Sequence, residues 1–232
     1  VLWQAHLDRL VRGCGALGLP TPDANELTQA MARAIDDSGL GQTRAAVRIS
    51  WTAGSGARGL ERPSEVSPRL LVSAALAPGP QAPVALALSP IRRNETSPAA
   101  RHKTLAYLDN VMARRQARLQ GAGEAVMLNS RGELACCSAA NLFWLVGDRV
   151  FTPALDCGVL DGIMRAQVLA AAPGLGLEPV EVCAPLQALE GVDGLFISNC
   201  LIGVRPAVAP NAHPVRQGPA VEALALALTE VC

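Results

Sequence analysis

The hydrophobic pattern changes its period near residue 120, and this change constrains the fold more than any other feature of the chain. Just before it, over 105–112, apolar residues recur at helical spacing, and after it they lie mostly in short strand-like runs. Runs at 125–128, 133–138 and 141–146 predict three strands. Gly147-Asp148 is typical of a two-residue hairpin turn into a fourth strand at 149–151. Further along, the pattern predicts a helix over 162–171, strands over 180–183 and 195–198, and a helix over 220–232.

The first part of the chain predicts a smaller unit that also mixes helices and strands. Helical spacing begins at Trp3 and ends near Gly18. A second helix is predicted to begin at Thr21 as N-cap, with Pro22 at the first helical position. Three strands are predicted in this part, at 45–51, 70–76 and 84–88.

A polar segment that carries Pro98 separates the two parts and is the best candidate for a linker. We therefore predict a small N-terminal α/β domain over 1–93, a linker over 94–102 and a larger α/β domain over 103–232. The larger domain is predicted to begin with a helix whose apolar face is formed by Leu105, Leu108, Val111 and Met112.

Composition and charge exclude several classes of protein. Half the residues are hydrophobic, 17% are charged and the formal net charge is zero. This balance argues against a nucleic-acid partner, and no apolar run reaches the roughly 18 residues of a membrane span. The chain begins inside a helical pattern without Met, so we expect preceding residues, including N-terminal strands, to be absent from this sequence.

The cysteines indicate a cytoplasmic protein with reduced thiols. There are seven, an odd number, and none forms a CxxC pair. The three histidines lie far apart at 6, 102 and 213. We therefore predict neither a metal site nor a disulfide framework.

Lys103 is the only lysine, whereas the other 19 basic residues are all arginine. Arginine stays protonated, so it can be neither a nucleophile nor an imine-forming amine, and lysine can be both once it is desolvated. Lys103 is therefore a candidate catalytic residue. From composition alone, a leftover surface lysine is an equally good interpretation.

An imine-forming lysine indicates either pyridoxal 5′-phosphate (PLP) or a cofactor-free Schiff-base enzyme. PLP also needs a helix N-terminus for its phosphate, a donor at its phenolic oxygen and a carboxylate at its ring nitrogen. Residues 160–165, Leu-Asp-Gly-Ile-Met-Arg, place a glycine directly before a predicted helix and are a candidate phosphate site. A glycine in this position is common, so alone this signal is weak.

Three motifs together carry a resemblance to a known family. They are Lys-Thr-Leu-Ala-Tyr-Leu at 103–108, Ser-Ala-Ala-Asn-Leu-Phe-Trp at 138–144, and the run from Phe151 to Arg165. In this order they resemble the class IV (fold-type IV) PLP enzymes, from about His6 to Pro206. That family includes branched-chain and D-amino-acid aminotransferases and 4-amino-4-deoxychorismate lyase. The resemblance implies a mixed α/β, two-domain, D-amino-acid-aminotransferase-like fold and a homodimer.

The resemblance also implies roles for individual residues. Lys103 would form the Schiff base with PLP and act as general acid and base. Tyr107 would lie near the phenolic oxygen, although a core role for the only tyrosine stays open. Arg9 matches a phosphate-contacting arginine, with a surface arginine as the alternative. The remaining predicted cofactor-binding positions are Ile163 and Met164, through their backbone amides, and Cys200, for which packing is the favoured role because a thiol donates poorly.

One position departs from the family pattern. Relatives place a glutamate five residues before the Asn of Asn-Leu-Phe, facing the ring nitrogen, and Cys136 stands there instead. A thiol with an ordinary pKa near 8.5 cannot replace a carboxylate near 4.3 as the partner of a protonated ring. Glu133 is three residues away and on a regular strand would point to the opposite face.

The motifs most resemble the lyase branch, which releases p-aminobenzoate and pyruvate from a small-molecule substrate. Two alternatives stay open. One is an aminotransferase for branched-chain or D-amino acids. The other is a degenerate homologue without catalysis, which Cys136 and the missing start would favour.

Overall fold

The computed structural model describes residues 2–56, 58–210 and 218–229. It divides into a smaller unit, Leu2–Gly79, and a larger unit that begins at Pro80. The division therefore falls earlier than the predicted domain border at residue 93. The reason is that residues 84–88 pair with strands of the larger unit, and a five-residue apolar run does not reveal its pairing partners.

The smaller unit contains two helices and one antiparallel hairpin. The elements are α1 (Trp3–Ala16), α2 (Ala24–Asp37), β1 (Ala45–Thr52) and β2 (Arg69–Leu76). The predicted N-cap of the second helix, Thr21, is wrong. Asp23 caps α2 instead, because its carboxylate accepts a 2.8 Å hydrogen bond from the Glu26 amide three residues on.

Besides three short 3-10 helices (Leu155–Cys157, Ala172–Leu175 and Leu186–Leu189), the larger unit contains the remaining eight strands and four α-helices of the described chain. In order they are β3 (Val84–Leu88), α3 (Pro98–Arg101), α4 (Leu108–Leu119), β4 (Glu124–Leu128), β5 (Leu134–Cys137), β6 (Asn141–Val146), β7 (Arg149–Pro153), α5 (Ile163–Ala171), β8 (Glu178–Val182), β9 (Gly194–Asn199), β10 (Gly203–Val208) and α6 (Pro219–Ala227). Strand β10 was not predicted, because Gly203 and Pro206 interrupt its apolar pattern. The predicted end of the last helix, at 230–232, lies outside the described residues.

These eight strands form one mixed sheet in the order β5-β4-β3-β10-β9-β6-β7-β8. The two ends of this order approach each other. The Leu134 amide at the start of β5 donates to the Ala184 carbonyl after β8 at 2.8 Å, and Glu133 forms an isolated bridge with Pro185. We call this contact, residues 133–134 with 184–185, the seam. The sheet therefore curls until its edges touch.

The curled sheet has two apolar faces. One face contributes the interior cluster that includes Val126, Leu142, Trp144 and Ile197. The other face packs against α5 and α6, where the Phe143 and Phe196 rings stack with centroids 4.8 Å apart. Successive residues of β6 thus alternate between the two cores, which explains its uninterrupted apolar run.

Helix α4 packs differently from the prediction. It begins at Leu108, and its buried residues are Asn110, Ala113 and Ala117. The predicted apolar face is wrong, because Leu105, Leu108 and Val111 are 59–72% exposed. Small alanines are buried because they allow the helix to lie close to β4. Three large apolar side chains are consequently left on the surface of this chain.

Membrane-spanning helices were not expected, and among the described residues no helix combines the length and apolar character needed to cross a bilayer.

Candidate active site

Lys103 lies in the loop between α3 and α4, beside the only tyrosine. Its Nζ donates a hydrogen bond to the Tyr107 hydroxyl and lies 4.6 Å from the centre of that ring. Tyr107 is half-buried and occupies the N-cap position of α4. The Lys103 side chain is exposed, so its amine is accessible in this chain. The structure thus brings together the two residues that the first motif singles out.

The loop that carries Lys103 is held at both ends by Arg93. The half-buried guanidinium donates to the Ala100 carbonyl before the loop at 2.9 Å and to the Asn110 Oδ1 after it at 3.1 Å. Its Nε donates to the Gly158 carbonyl at 2.9 Å. Asn110 in turn donates to the Ser138 carbonyl at 2.8 Å. One cation therefore connects the segments of all three sequence motifs.

The predicted linker contributes to this arrangement. Glu95 is buried and accepts hydrogen bonds from the Ser130 hydroxyl and amide and from Arg131. The Ser130 hydroxyl, together with these other contacts, lowers the pKa of Glu95 to about 2. The segment 94–102 is therefore packed against the larger unit, as Glu95 and the buried Ala100 require.

Cys136 is buried on the face of β5 that points towards the Lys103 loop. It pairs with Met127, which lines a small cavity of about 60 Å³ together with Arg93, Ala106 and Asn110. Burial raises the pKa of the Cys136 thiol, and Glu124 adds to this effect while Arg93 opposes it. The thiol is therefore neutral near pH 7. This is the position at which the family resemblance predicts a glutamate.

Neither nearby glutamate takes the place of that carboxylate. Glu124 begins β4 on the face opposite to Met127, and it accepts hydrogen bonds from the Ser138 hydroxyl and amide. Glu133 accepts from Asn129 at 2.7 Å and pairs with Arg131 at 2.7 Å. Both carboxylates are thus already held by other hydrogen-bond partners.

The segment before α5 forms a tight approach to the sheet. Gly162 caps the helix, and a Cβ added there would lie 2.0 Å from the Asn141 Oδ1. The Asn141 amide donates to the Leu160 carbonyl at 3.1 Å and so fixes this turn. Ile163 and Met164 are buried in the first turn of this helix. Glycine is required here because any side chain would displace Asn141.

Ser198 lies beneath the same turn and was missed by sequence reasoning. It pairs with Asn141 across β9 and β6, so both side chains point to the α5 face. Ser198 is fully buried, and its Oγ has no hydrogen-bond partner among the residues that the structure describes. Cys200, two residues on, packs in the same cluster as Met164. A buried orphan hydroxyl costs stability, which points to a ligand atom at this turn.

The predicted residues thus fall into two groups. Lys103, Tyr107, Cys136, Ile163, Met164 and Cys200 all lie in the larger unit. Arg9 lies on α1 of the smaller unit, and its predicted phosphate contact stays a prediction. Ser198 had no sequence signal, because a serine in an apolar strand reads as an ordinary core residue.

Solved structures show the class to which this architecture belongs. The chain matches a protein from Legionella pneumophila, which carries the provisional name 4-amino-4-deoxychorismate lyase, with a TM-score of 0.91 and 23% identity over 100% of this chain and 86% of that one. It matches the branched-chain aminotransferase of Thermoproteus uzoniensis with a TM-score of 0.89 and 25% identity over 98% and 78%. The fold is that of the fold-type IV enzymes, as predicted.

The sequence model of the family "Amino-transferase class IV" matches residues 1–209, and the chain belongs to this family. The family depends on PLP, and structures of neighbours with this fold have been solved in PLP-bound forms. The resemblance of the three motifs to this family is thereby confirmed.

The curated relatives include both lyases and aminotransferases. The aminodeoxychorismate lyases of Bacillus subtilis and Vibrio harveyi are 27% and 28% identical over 87% and 88% of this chain, which spans 70% and 76% of their lengths. A probable branched-chain-amino-acid aminotransferase of Rickettsia bellii is 26% identical over 87% of this chain and 70% of its own length.

We expect Arg93→Ala to destabilise the larger unit by about 2–4 kcal/mol. The change removes three hydrogen bonds from a charged donor, each worth about 1.5–3 kcal/mol, and water replaces part of them. Native-state hydrogen exchange of β4 and β6 amides measures this loss. Arg92→Ala, at the exposed neighbouring position, should change stability by less than about 0.5 kcal/mol. Equal effects of the two substitutions would contradict the role given to Arg93.

Proposed function

We propose that this chain binds PLP and acts as a 4-amino-4-deoxychorismate lyase, giving p-aminobenzoate and pyruvate. The observation that carries the proposal is the pairing of the Lys103 amine with the Tyr107 hydroxyl, in a loop that Arg93 connects to the turn before α5. The two lyases among the curated relatives support the choice of reaction. The aminotransferase relatives support the nearest alternative.

The phosphate of PLP fits at the turn before α5. The N-terminus of this nine-residue helix favours an anion, and Gly162 allows close approach. The orphan Ser198 hydroxyl, buried beneath this turn, supplies a donor to such a group. Ile163 and Met164 would contribute backbone amides, and Cys200 would line the site by packing. We propose that Arg9, from the smaller unit, adds positive charge.

Lys103 is proposed to anchor the cofactor and to move the proton. Its amine is accessible, and the Tyr107 hydroxyl orients it. When bound, PLP supplies an electron sink for negative charge that develops at the substrate carbon next to the amine. Lys103 would then take the proton from that carbon and return it at the end of the reaction.

The lyase proposal requires that pyruvate be released from 4-amino-4-deoxychorismate without any 2-oxo acid acceptor. Lys103→Ala should lower this rate by at least about 10²–10⁴-fold, since a positioned general acid–base contributes that much. Lys103→Arg should fail equally, because it keeps the charge and loses the nucleophilic amine. Borohydride reduction followed by peptide mass spectrometry should locate PLP on Lys103 in the unsubstituted protein.

Two outcomes would contradict these assignments. Turnover that depends strictly on a 2-oxo acid would replace the lyase by an aminotransferase. Covalent labelling that persists in Lys103→Ala would remove Lys103 from its role.

The presence of Cys136 favours an enzyme in which PLP is a weaker electron sink. It also favours the alternative that this chain is a degenerate homologue without catalysis. The neutral buried thiol cannot hold a proton on the ring nitrogen as a carboxylate does. The proposed enzyme therefore works with its lysine and phosphate site complete and its ring-nitrogen partner absent.

We expect Cys136→Glu to raise the rate of pyruvate release by about tenfold or more at saturating PLP. An opposite charge beside an ionisable group shifts its pKa by about 1–3 units, so the ring nitrogen would keep its proton more fully. Cys136→Gln, with nearly the same volume and no charge, is the matched control and should bring no gain. Steady-state kinetics and PLP affinity are measured for both. Equal rates in the two variants would show that this position does not face the ring.

We also propose that the protein forms a homodimer through α4. Leu105, Leu108 and Val111 form an exposed apolar patch directly beside the Lys103 loop. A second copy covering this patch would remove apolar area from water and would also desolvate Lys103, which imine chemistry favours.

Leu108→Glu should convert the dimer to a monomer, as measured by analytical ultracentrifugation, because it places a charge in the apolar patch. The fold should be retained, since Leu108 is 72% exposed. Leu60→Glu, at a fully exposed leucine of the smaller unit, should leave the oligomeric state unchanged. A dimer that survives Leu108→Glu would rule out this interface.

A further inference from the structure

We propose that Glu133, Cys157 and Cys183 form a binding site for a thiophilic divalent cation of the zinc class. One carboxylate oxygen and two sulfur atoms lie within 4.8 Å of one another. Cys157 follows Glu133 by 24 positions, and Cys183 follows Cys157 by 26, so no metal-binding motif of short spacing is visible in the sequence. The prediction that the chain has no metal site rested on such motifs. The site is independent of the proposed reaction, since no residue of the candidate active site is a ligand.

The separations match the edges of a tetrahedral coordination sphere. With Zn–S near ~2.3 Å and Zn–O near ~2.1 Å, tetrahedral edges are about 3.8 Å for S···S and about 3.6 Å for S···O. The Cys157 and Cys183 sulfurs lie 3.3 Å apart, and the Cys157 sulfur lies 3.7 Å from the Glu133 Oε2. A disulfide needs about 2.05 Å, well short of the observed distance. Two of the three separations therefore lie within about 0.5 Å of a tetrahedral edge. The third, between the Glu133 carboxylate and the Cys183 sulfur, is at most 4.8 Å, so these two ligands would draw together around a cation.

The ligands are held in place by the backbone on both sides of the seam. The Ala154 amide donates to the Val182 carbonyl at 3.0 Å, and the Leu134 amide donates to the Ala184 carbonyl at 2.8 Å. Cys183 lies between these two bonds, Cys157 follows Ala154 by one short turn, and Glu133 precedes Leu134. Each ligand is thus within three residues of a fixed backbone contact. Such preorganisation lowers the entropy lost on binding.

Charge and exposure also suit a cation with soft ligands. Arg131 and Asn129 already donate to the Glu133 Oε2, so this oxygen would exchange one of these hydrogen bonds for the cation. Two thiolates formed on binding would balance the charge of a divalent ion. Cys157 is buried, whereas Cys183 is exposed, which leaves a route of entry and a fourth position for water. The sulfur donors select zinc, cadmium or cobalt over magnesium and calcium.

Binding at this site should release protons. Cysteine binds cations of this class as a thiolate, so each ligating thiol would give up its proton when the cation binds. Affinity should consequently rise as pH rises.

The test is a titration of the reduced full chain with Co²⁺, followed by thiolate-to-cobalt charge-transfer and tetrahedral d–d absorbance. We expect one strong site per chain, competed by Zn²⁺ and not by Mg²⁺, with affinity that increases between pH 6 and pH 8 (roughly the range in which zinc-class sites exchange protons for metal). Cys183→Ser should weaken binding by at least the ~10–100-fold seen when an outer-shell partner is lost, and should reduce the charge-transfer band. Glu133→Gln should weaken binding without removing that band.

Matched controls keep the result specific. Cys14→Ser changes a buried cysteine of the smaller unit, and Glu190→Gln changes an exposed glutamate outside the cluster. Both should bind Co²⁺ as the unsubstituted chain does. A cobalt spectrum without tetrahedral character, or one unchanged in Cys183→Ser, would overturn the proposal. So would a reduced protein that binds no Co²⁺, whether or not Cys157 and Cys183 form a disulfide under oxidation.

Discussion

The candidate active site depends on the guanidinium of Arg93. A planar cation with donors in a fixed fork can satisfy several acceptors at once, and here the acceptors belong to α3, α4 and the turn before α5. These are the segments that carry the lysine loop and the approach to the helix N-terminus. A lysine at position 93 could not reach all three acceptors. The geometry of the Lys103–Tyr107 pair therefore rests on a residue that none of the motifs contains.

The curled sheet provides the second level of organisation. Each strand near the middle of the sheet serves two cores, and Asn141 and Ser198 interrupt the apolar face at the one place where α5 begins. The polar pair thus lies at the end of an otherwise apolar helix–sheet interface, where we propose that the phosphate binds. Where the two edges of the sheet meet, the seam brings together residues that are far apart in sequence. The cluster of Glu133, Cys157 and Cys183 forms there.

Much of this could be predicted from the sequence, and the exceptions have physical reasons. The strands β4 to β7 and helix α5 follow from apolar period and glycine turns, and the family follows from three ordered motifs. The border between the units was not predictable, because β3 finds its partners only in the folded sheet. The face of α4 was misjudged, because the helix buries alanines and leaves its leucines exposed. Ser198 and the Cys157–Cys183 contact depend on long-range pairing that no local pattern encodes.

The position of β9 in the sheet has a consequence for how the protein is made. In sequence, most of the larger unit lies between Lys103 and Ser198. Ser198 belongs to β9, which pairs with β6 and β10 in the sheet. During synthesis, the lysine loop and the start of α5 leave the ribosome before the strand that completes the pocket beneath them. A nascent chain that has emerged only as far as β8 would therefore lack the Ser198 hydroxyl. If the phosphate binds where we propose, capture of the cofactor is a late event, coupled to closure of the sheet rather than to formation of the lysine loop.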